Sequence, residues 1–537
     1  MVEPTPPATQ TDAPRRTRSA ISSPNAVLFI LMLVYVLNFI DRNILSILAE
    51  EIKADLGLTD SQLGFLYGTA FAVFYGVFGL PLGRLADFWI RKKLIAISLA
   101  FWSLMTVLSG TARSLVGLGV FRICVGIGEA GASPAAFSML CDTFPPRSRA
   151  RALSFYASGV FIGIGLGTFL GGWVIDFWKA AFPMGNEPFG LAGWQVAFFV
   201  TGLPGLLLAA VVWRLREPIR GRHEGGAQPS MHPTPFREFA REVAAVIPPL
   251  SMWSLMQAGA NRRMYLINGG VAAALACWAA LLVSWLGNPE QWVSLAIGFY
   301  ACFSWAQRLA IRNRSLFRVI FGSRALVYSL IGFSSNAFVA WGFAFWVAPY
   351  FLRAFDVGAG QVGLFLGLSA AGGWIGVNLG GVLSDRLVAR TRWARVLVGI
   401  AVAAMTPPAA MALLFTESIQ LAYVAYFFFM VISNLAIGPA AANFNELVPP
   451  EARGTSSALY LLSLSLLGHA LGPYAAGVVS DAFGAAGASG AVALRWALAV
   501  LLPGYGVGMV FLLLAGRAIG KRPDAAIPED ESRLRSP

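Results

Sequence analysis

Two charges stand inside one long apolar stretch: Arg122 and Glu129 lie within Leu115 to Thr143. A second pair, Asp41 and Arg42, interrupts another apolar stretch, Phe29 to Ala49. A charge at bilayer depth costs about 2.5–3.5 kcal/mol on insertion scales, so it faces a partner or a cavity. Seven positions make two helical turns, which puts Arg122 and Glu129 on one helix face, ~10 Å apart. A carboxylate beside a movable arginine can load and release a proton, because burial and a nearby cation push its proton affinity in opposite directions. A planar guanidinium can hold an anionic or phosphate head group. Glu129 is therefore the expected proton-binding group, with Arg122 its partner in one state. Asp41 is expected to hold Arg42 or to share in protonation. Arg42 and Arg122 are the expected contacts for an anionic substrate. The plainer alternative is a set of structural ion pairs holding a helix bundle together.

Such charges need a membrane around them, and the composition supplies the argument for one. Of 537 residues, 57% are hydrophobic and 12% charged, against about 25% charged in soluble domains. No globular core hides so much apolar surface, so the chain reads as an all-α polytopic membrane protein. The net charge of +13 is carried in short loops beside apolar spans. That is the positive-inside pattern and not a nucleic-acid footprint. Cys124, Cys141, Cys277 and Cys302 fall in or at the end of apolar segments, without metal-ligand spacing, and read as free thiols. No zinc-type spacing, Ser-His-Asp arrangement or P-loop is present, which argues against an enzyme and against ATP-driven pumping. No cofactor or metal is called for.

A membrane span needs roughly 17–25 apolar residues. The sequence predicts helices over 25–49, 61–88, 93–111, 115–143, 150–177 and 194–216, then over 324–352, 361–388, 394–416, 418–446, 454–482 and 491–516. This divides the chain into a disordered cytoplasmic tail (1–24), a six-helix bundle (25–216), a linker (217–323), a second six-helix bundle (324–516) and a cytoplasmic tail (517–537). Residues 217–262 read as a polar linker. The runs 265–286 and 291–309 read as an extra hairpin that crosses and returns, or as two helices lying along the surface. The first apolar run lacks a small-residue cleavage site and reads as a retained helix. Bases gather in alternate loops: Arg15, Arg16 and Arg18; Arg91, Lys92 and Lys93; Arg147, Arg149 and Arg151; Arg214, Arg216, Arg220 and Arg222; Arg386, Arg390, Arg392 and Arg395; Arg517, Lys521 and Arg522. Both termini are therefore expected in the cytoplasm, in a plasma or bacterial inner membrane.

Two motifs recur in order. Gly83-Arg84-Leu85-Ala86-Asp87 with Arg91-Lys92-Lys93 is echoed by Gly381-Val382-Leu383-Ser384-Asp385-Arg386. Phe144-Pro145-Pro146-Arg147 is echoed by Val448-Pro449-Pro450-Glu451-Ala452-Arg453. These residues resemble the major facilitator superfamily of secondary transporters over nearly the whole chain except 217–323. That superfamily is itself a standard example of halves built from repeats, so its fold is taken from the resemblance: two six-helix halves, here with a two-helix insertion. Phe88 and Ile90 depart from its loop motif, where a base and a glycine are usual. The resemblance implies that Gly83, Asp87, Arg91, Asp142, Asp385 and Arg386 gate the cytoplasmic side; a plain topology signal is the alternative. Helix 5 resembles the superfamily's antiporter motif, with Thr168 where its proline stands.

Within the superfamily, Asn38-Phe39-Ile40-Asp41-Arg42, Gly126-Ile127-Gly128-Glu129-Ala130-Gly131-Ala132-Ser133-Pro134-Ala135 and Asp142-Thr143-Phe144-Pro145-Pro146 resemble the spinster family. That likeness implies a monomeric transporter of an amphipathic anion, such as a lysophospholipid or a sphingosine-phosphate-like lipid, working by alternating access with a proton. The anion–cation symporters of sugar acids share the Asp-Arg and the Glu-Ala and are the alternative. His469, mid-span, is a candidate proton relay or substrate contact, or simply a hydrogen-bonded packing residue. Tyr35, Asn38, Asn336, Asn378 and Asn434 are candidate cavity-lining residues. Gly159, Gly163, Gly167 and Gly171, Gly64, Gly68, Ala72 and Gly76, and Gly372, Gly376 and Gly380 form stripes that let helices approach closely.

Overall fold

Several helices begin at a side-chain cap, as at Thr59, Ser114 and Ser323, or at a proline, as at Pro24 and Pro146. The computed structural model describes residues 21–182, 186–221, 223, 233–449 and 452–521. The expected tail before Ile21, Arg222 and the tail beyond Lys521 lie outside the described residues. The first half comprises α1 (Pro24–Leu56), α2 (Asp60–Phe88), α3 (Arg91–Ser109), α4 (Leu115–Thr143), α5 (Pro146–Ala181) and α6 (Gly193–Trp213). Between the halves lie α7 (Pro235–Val246), α8 (Leu250–Gln257), α9 (Arg262–Leu286), α10 (Pro289–Arg312) and α11 (Arg314–Phe321). The second half comprises α12 (Arg324–Ala354), α13 (Ala359–Val388), α14 (Ala394–Phe415), α15 (Ile419–Glu446), α16 (Arg453–Ala485) and α17 (Gly490–Gly520). Among the described residues, 13 helices are long and apolar enough to cross a membrane; α7, α8, α10 and α11 are not among them.

Several expected helices are interrupted. α4 breaks at Ala130-Gly131, directly after Glu129. α2 breaks at Gly68 and α15 at Leu435-Ala436. In α16 the turn Leu464–His469 widens to a π-helix, with the Ala470 amide donating to Ser465 O at 2.8 Å. Such bulges cluster at functional sites. The stretch expected as a plain polar linker contains α7 and α8. α7 reads Pro-Phe-Arg-Glu-Phe-Ala-Arg-Glu-Val, apolar at helical spacing, and lays Phe236 against Trp89 at 5.0 Å.

The halves touch through bare backbone. A Cβ on Gly64 would stand 2.5 Å from Pro473 O of α16, and one on Gly172 would stand 2.2 Å from Ala359 O of α13. Of the stripes, Gly64 and Gly68 therefore serve the contact between halves. Gly163 and Gly167 of α5 lie on α1, and Gly372, Gly376 and Gly380 of α13 on α15. α9 and α10 form an antiparallel pair joined by Gly287 and Asn288, both at positive φ. Asn268 ties them together, donating to Ser304 at 3.1 Å and Gln307 at 2.9 Å and accepting from Tyr300 at 2.7 Å. α10 lies on both halves at once: Gly298 sits against Val73 and Leu466, and Asn288 donates to Ser61 and to Tyr474.

The two ends of the molecule differ. At the end away from the basic loops, Arg353 of α12 donates to Glu50 at 2.7 Å and to Asp60 at 2.7 and 2.8 Å. Asp60 also accepts from Lys53 and from Ser480. Asp481 of α16 accepts from the amides of Asp60 at 2.9 Å and Ser61 at 2.8 Å. This end is closed by contacts running from one half to the other.

Candidate functional site

Arg42 and Glu129 meet. The Arg42 Nε donates to Glu129 Oε2 at 2.7 Å, with both residues buried. α4 delivers Glu129 by lying almost on the backbone of α2: a Cβ at Gly126 would come 2.5 Å from Phe71 O. Three rings enclose the Arg42 guanidinium, Phe39 at 5.0 Å, Phe71 at 4.6 Å and Tyr75 at 4.4 Å. Cation–π contacts of this kind stabilise a desolvated cation by about 2 kcal/mol or more. Glu129 Oε1 is buried without a hydrogen-bond partner among the described residues.

Arg122 is not the partner of Glu129 here. Its Nη1 donates to the main-chain oxygen of Asp41 at 3.0 Å, and its guanidinium stands 5.5 Å from the Phe71 ring. The physical reason is reach. Two turns along one helix leave the side chains too far apart, whereas α1 crosses α4 at the right height. Asp41 does not hold Arg42 either. Its carboxylate turns toward Trp102 and Thr106 of α3, with Oδ1 buried and unpartnered. Asn38, one turn before Arg42, is buried beside Glu129 with both amide atoms unpartnered.

His469 crosses from the other half to the same place. The π-turn of α16 presents it against Trp341, stacked at 4.1 Å, with Tyr67 at 5.2 Å and Phe71 at 5.6 Å. Its Nε2 is buried and unpartnered. The Thr69 hydroxyl donates to Ala470 O at 2.9 Å, fixing α2 to this turn. Asn38, Asp41, Arg42, Arg122, Glu129 and His469 thus form one polar centre on the seam between the halves. Tyr35 lies at its margin, stacked on Tyr156 at 4.5 Å. The other asparagines do not join it. Asn336 donates to Gly399 O, Asn434 to Met430 O, and Asn378 is exposed and bonded to Trp374 O. Phe39, Tyr67, Phe71, Tyr75 and Trp341 belong to the site although nothing in their sequence separated them from ordinary core.

The expected gate is partly redrawn. Arg91 is fully buried and pairs with Asp142, as the resemblance implied, but also with Glu217 at 2.8 Å. Glu217 accepts from the amides of Arg91 and Lys92 as well, capping α3. Gly83 has open space beside its Cα. Asp87 is exposed and lies 3.8 Å from Arg84 of its own helix, so it meets no opposing helix start. Arg220 instead caps the end of α2, donating to the carbonyls of Ala86, Asp87 and Trp89. Burial pulls the Arg220 pKa below its usual value, with Arg91 adding repulsion. In the second half Arg395, not Arg386, takes the part of Arg91. It donates to Asp385 at 2.6 Å and to Glu446 at 2.9 Å, whereas Arg386 is exposed and has no ion-pair partner among the described residues.

Two helical halves enclosing a buried ionic centre on their seam, closed at one end, define a membrane transporter. The Major Facilitator Superfamily pattern matches residues 31–473. The chain belongs to that superfamily. A bacterial homolog of the human lysosomal transporter Spinster, solved inward-facing and unoccupied, superposes with a TM-score of 0.70 and 25% identity, covering 94% of this chain and 99% of that one. An MFS-type efflux pump of Mycolicibacterium smegmatis is 26% identical over 87% of this chain and 85% of its own length. The protein spinster of Drosophila melanogaster is 23% identical over 87% of this chain and 64% of its own. The Probable galactarate/D-glucarate transporter GudP of Bacillus subtilis is 32% identical over 35% of this chain and 39% of its own.

Proposed function

We propose that this protein moves an amphipathic organic anion across the membrane by alternating access, coupled to protons through Glu129. The observation that carries the reading is the buried Arg42–Glu129 pair, flanked by Arg122 and His469. An anionic head group drawn to the two arginines competes with Glu129 for Arg42. A displaced, buried carboxylate then takes a proton, which links the two movements. The aromatic surround favours an amphipathic substrate over a polyhydroxylated one, because rings offer faces and few hydroxyl partners. Apolar space also exists on the outward faces of the two halves. A 610 Å³ groove lies between α5 and α13, lined by Phe161, Leu166, Phe169, Leu364, Leu368 and Trp374.

In this reading the basic loops face the cytoplasm, so the closed end is the outer one and the state is inward-facing. Both termini stay cytoplasmic, α9 crosses and α10, too polar to count as a span by composition, returns packed against α9 and both halves, and the protein works as a monomer in a plasma or bacterial inner membrane. A sugar-acid symporter is the second reading, favoured by the likeness of 193 residues of the chain to the galactarate/D-glucarate transporter. Flux of labelled lysolipid and of a sugar acid into proteoliposomes, with and without a pH gradient, separates the two. Gradient-driven lysolipid flux lost in Glu129→Gln supports the first reading. Sugar-acid flux supports the second, and flux that ignores both gradient and substitution would make the centre structural.

A further inference from the structure

At the base of the α9–α10 pair, chain segments from three helices enclose a second cavity. It measures 550 Å³ and is lined by Asn261, Met264, Ile311, Arg314, Phe317 and Arg318, among others. Arg262 and Arg263 stand beside it on the first turn of α9. Arg262, Arg263, Arg314 and Arg318 are all exposed, and none has an ion-pair partner among the described residues. Nearby Arg308 and Arg312, by contrast, share Glu242. Two uncompensated cations, Arg314 and Arg318, therefore line one concavity, and Arg262 and Arg263 lie between its lining residues Asn261 and Met264 in the chain.

Their placement runs against helix electrostatics. Arg262 and Arg263 begin α9, and Arg314 begins α11. The starts of helices carry partial positive charge and favour anions. The positive-inside rule asks for bases in this loop, but it does not ask for them at helix starts around one cavity. Asn261 and Asn313 already cap one amide at each start, accepting from Met264 and Leu316 at 3.0 Å, so an anion seated there is met chiefly by the arginines.

The depth of the cavity says which anion. α9 turns outward to lipid, with only 11% of its most apolar window buried in the protein. Leu266 and Ile267 are exposed one turn past the arginines. The cavity thus lies where hydrocarbon gives way to head groups, and Met264, Ile311 and Phe317 give it an apolar wall. We infer that this cavity binds the phosphate of an anionic phospholipid from the surrounding leaflet, its acyl chains lying along α9. The site is separate from the Arg42–Glu129 centre and holds a resident lipid, not the cargo. Basic pockets on the cytoplasmic side of membrane helices bind lipid head groups in the same manner.

The test uses the full-length protein in detergent, with its thermal midpoint followed against added phosphatidylglycerol, phosphatidylcholine or inorganic phosphate. Wild type should be stabilised by phosphatidylglycerol at concentrations where phosphatidylcholine has no effect. Arg314→Gln with Arg318→Gln should weaken the phosphatidylglycerol response roughly thirtyfold. Arg390→Ala with Arg517→Ala removes two exposed bases elsewhere at the same end and should leave the response unchanged. Both double variants should match wild type in phosphatidylcholine, which shows that they are folded. An equal loss in both would mean diffuse surface charge and overturn the site. Protection by inorganic phosphate alone would mean a soluble anion and overturn the lipid. No loss in the Arg314/Arg318 variant would overturn both.

Discussion

The two halves share a skeleton and differ in what they carry. Each clasps an arginine at the start of its third helix with an acid from the end of its fourth: Arg91 with Asp142, Arg395 with Glu446. α2 meets α16 and α13 meets α5 through the same kind of glycine contact. Yet the first half brings Asp41, Arg42, Arg122 and Glu129 to the buried polar centre, whereas the second brings His469. The second half repeats the clasp and the glycine contact but not the buried charges. In the proposed transport cycle one half supplies the charged groups and the other the wall they face.

The sharpest way to break this comparison is at the charged centre. Arg42→Ala leaves Glu129 buried without its cation, and losing one partner of a buried pair costs about 3–5 kcal/mol. A large fall in thermal midpoint is expected, together with loss of anion binding; unchanged affinity would remove Arg42 from the substrate site. Next comes the contrast between the clasps. Arg91→Ala should cost nearly as much, since Arg91 is fully buried between Asp142 and Glu217. Arg395→Ala should cost at most about 1 kcal/mol, because its acids are half or more exposed. Thermal midpoints at low and high salt would decide it: the Arg395 clasp should weaken with salt and the Arg91 clasp should not. Equal losses would mean that the halves are energetically alike.

Arg353→Ala tests the closed end. Hydrogen bonds to charged groups contribute about 1.5–3 kcal/mol each, so losing this side chain should raise the population open at that end. Thiol labelling of a cysteine placed at Ser480 should quicken; an unchanged rate would show that Asp481 holds the end alone. The smallest effect is expected from Asp87→Asn. Its exposed pair with Arg84 is worth about 0–1 kcal/mol, and labelling at either end should barely change.

Much of this was legible in the sequence. Charges inside apolar runs stand out because bilayer burial is expensive, so Arg42, Arg122 and Glu129 were visible as candidates. Their pairing was not, since it depends on how α1 crosses α4. The Arg91 clasp with Asp142 came from the resemblance. Glu217 was hidden in a polar stretch with no period to mark it, although an acid directly after the sixth helix was a signal that could have been used. Arg395 was hidden by loop length: Arg91 follows Asp87 by four positions, whereas Arg395 follows Asp385 by ten. The outer lock sat at helix ends, where charges look ordinary. The break after Glu129 and the wide turn at His469 did leave a trace that could have been used: Pro134 and Pro473 stand four residues after Ala130 and His469 and cannot donate to the carbonyls there.

The carboxylate of Asp481 fills a place that water would otherwise take. It satisfies the first amides of a helix in the opposite half, amides that any helix start leaves without internal partners. Parting the halves at that end must hand those amides to solvent. Opening is therefore an uptake of water as well as a change of shape. Solutes excluded from the protein surface should hold the transporter shut on that side, making the balance between its two states a function of osmotic pressure.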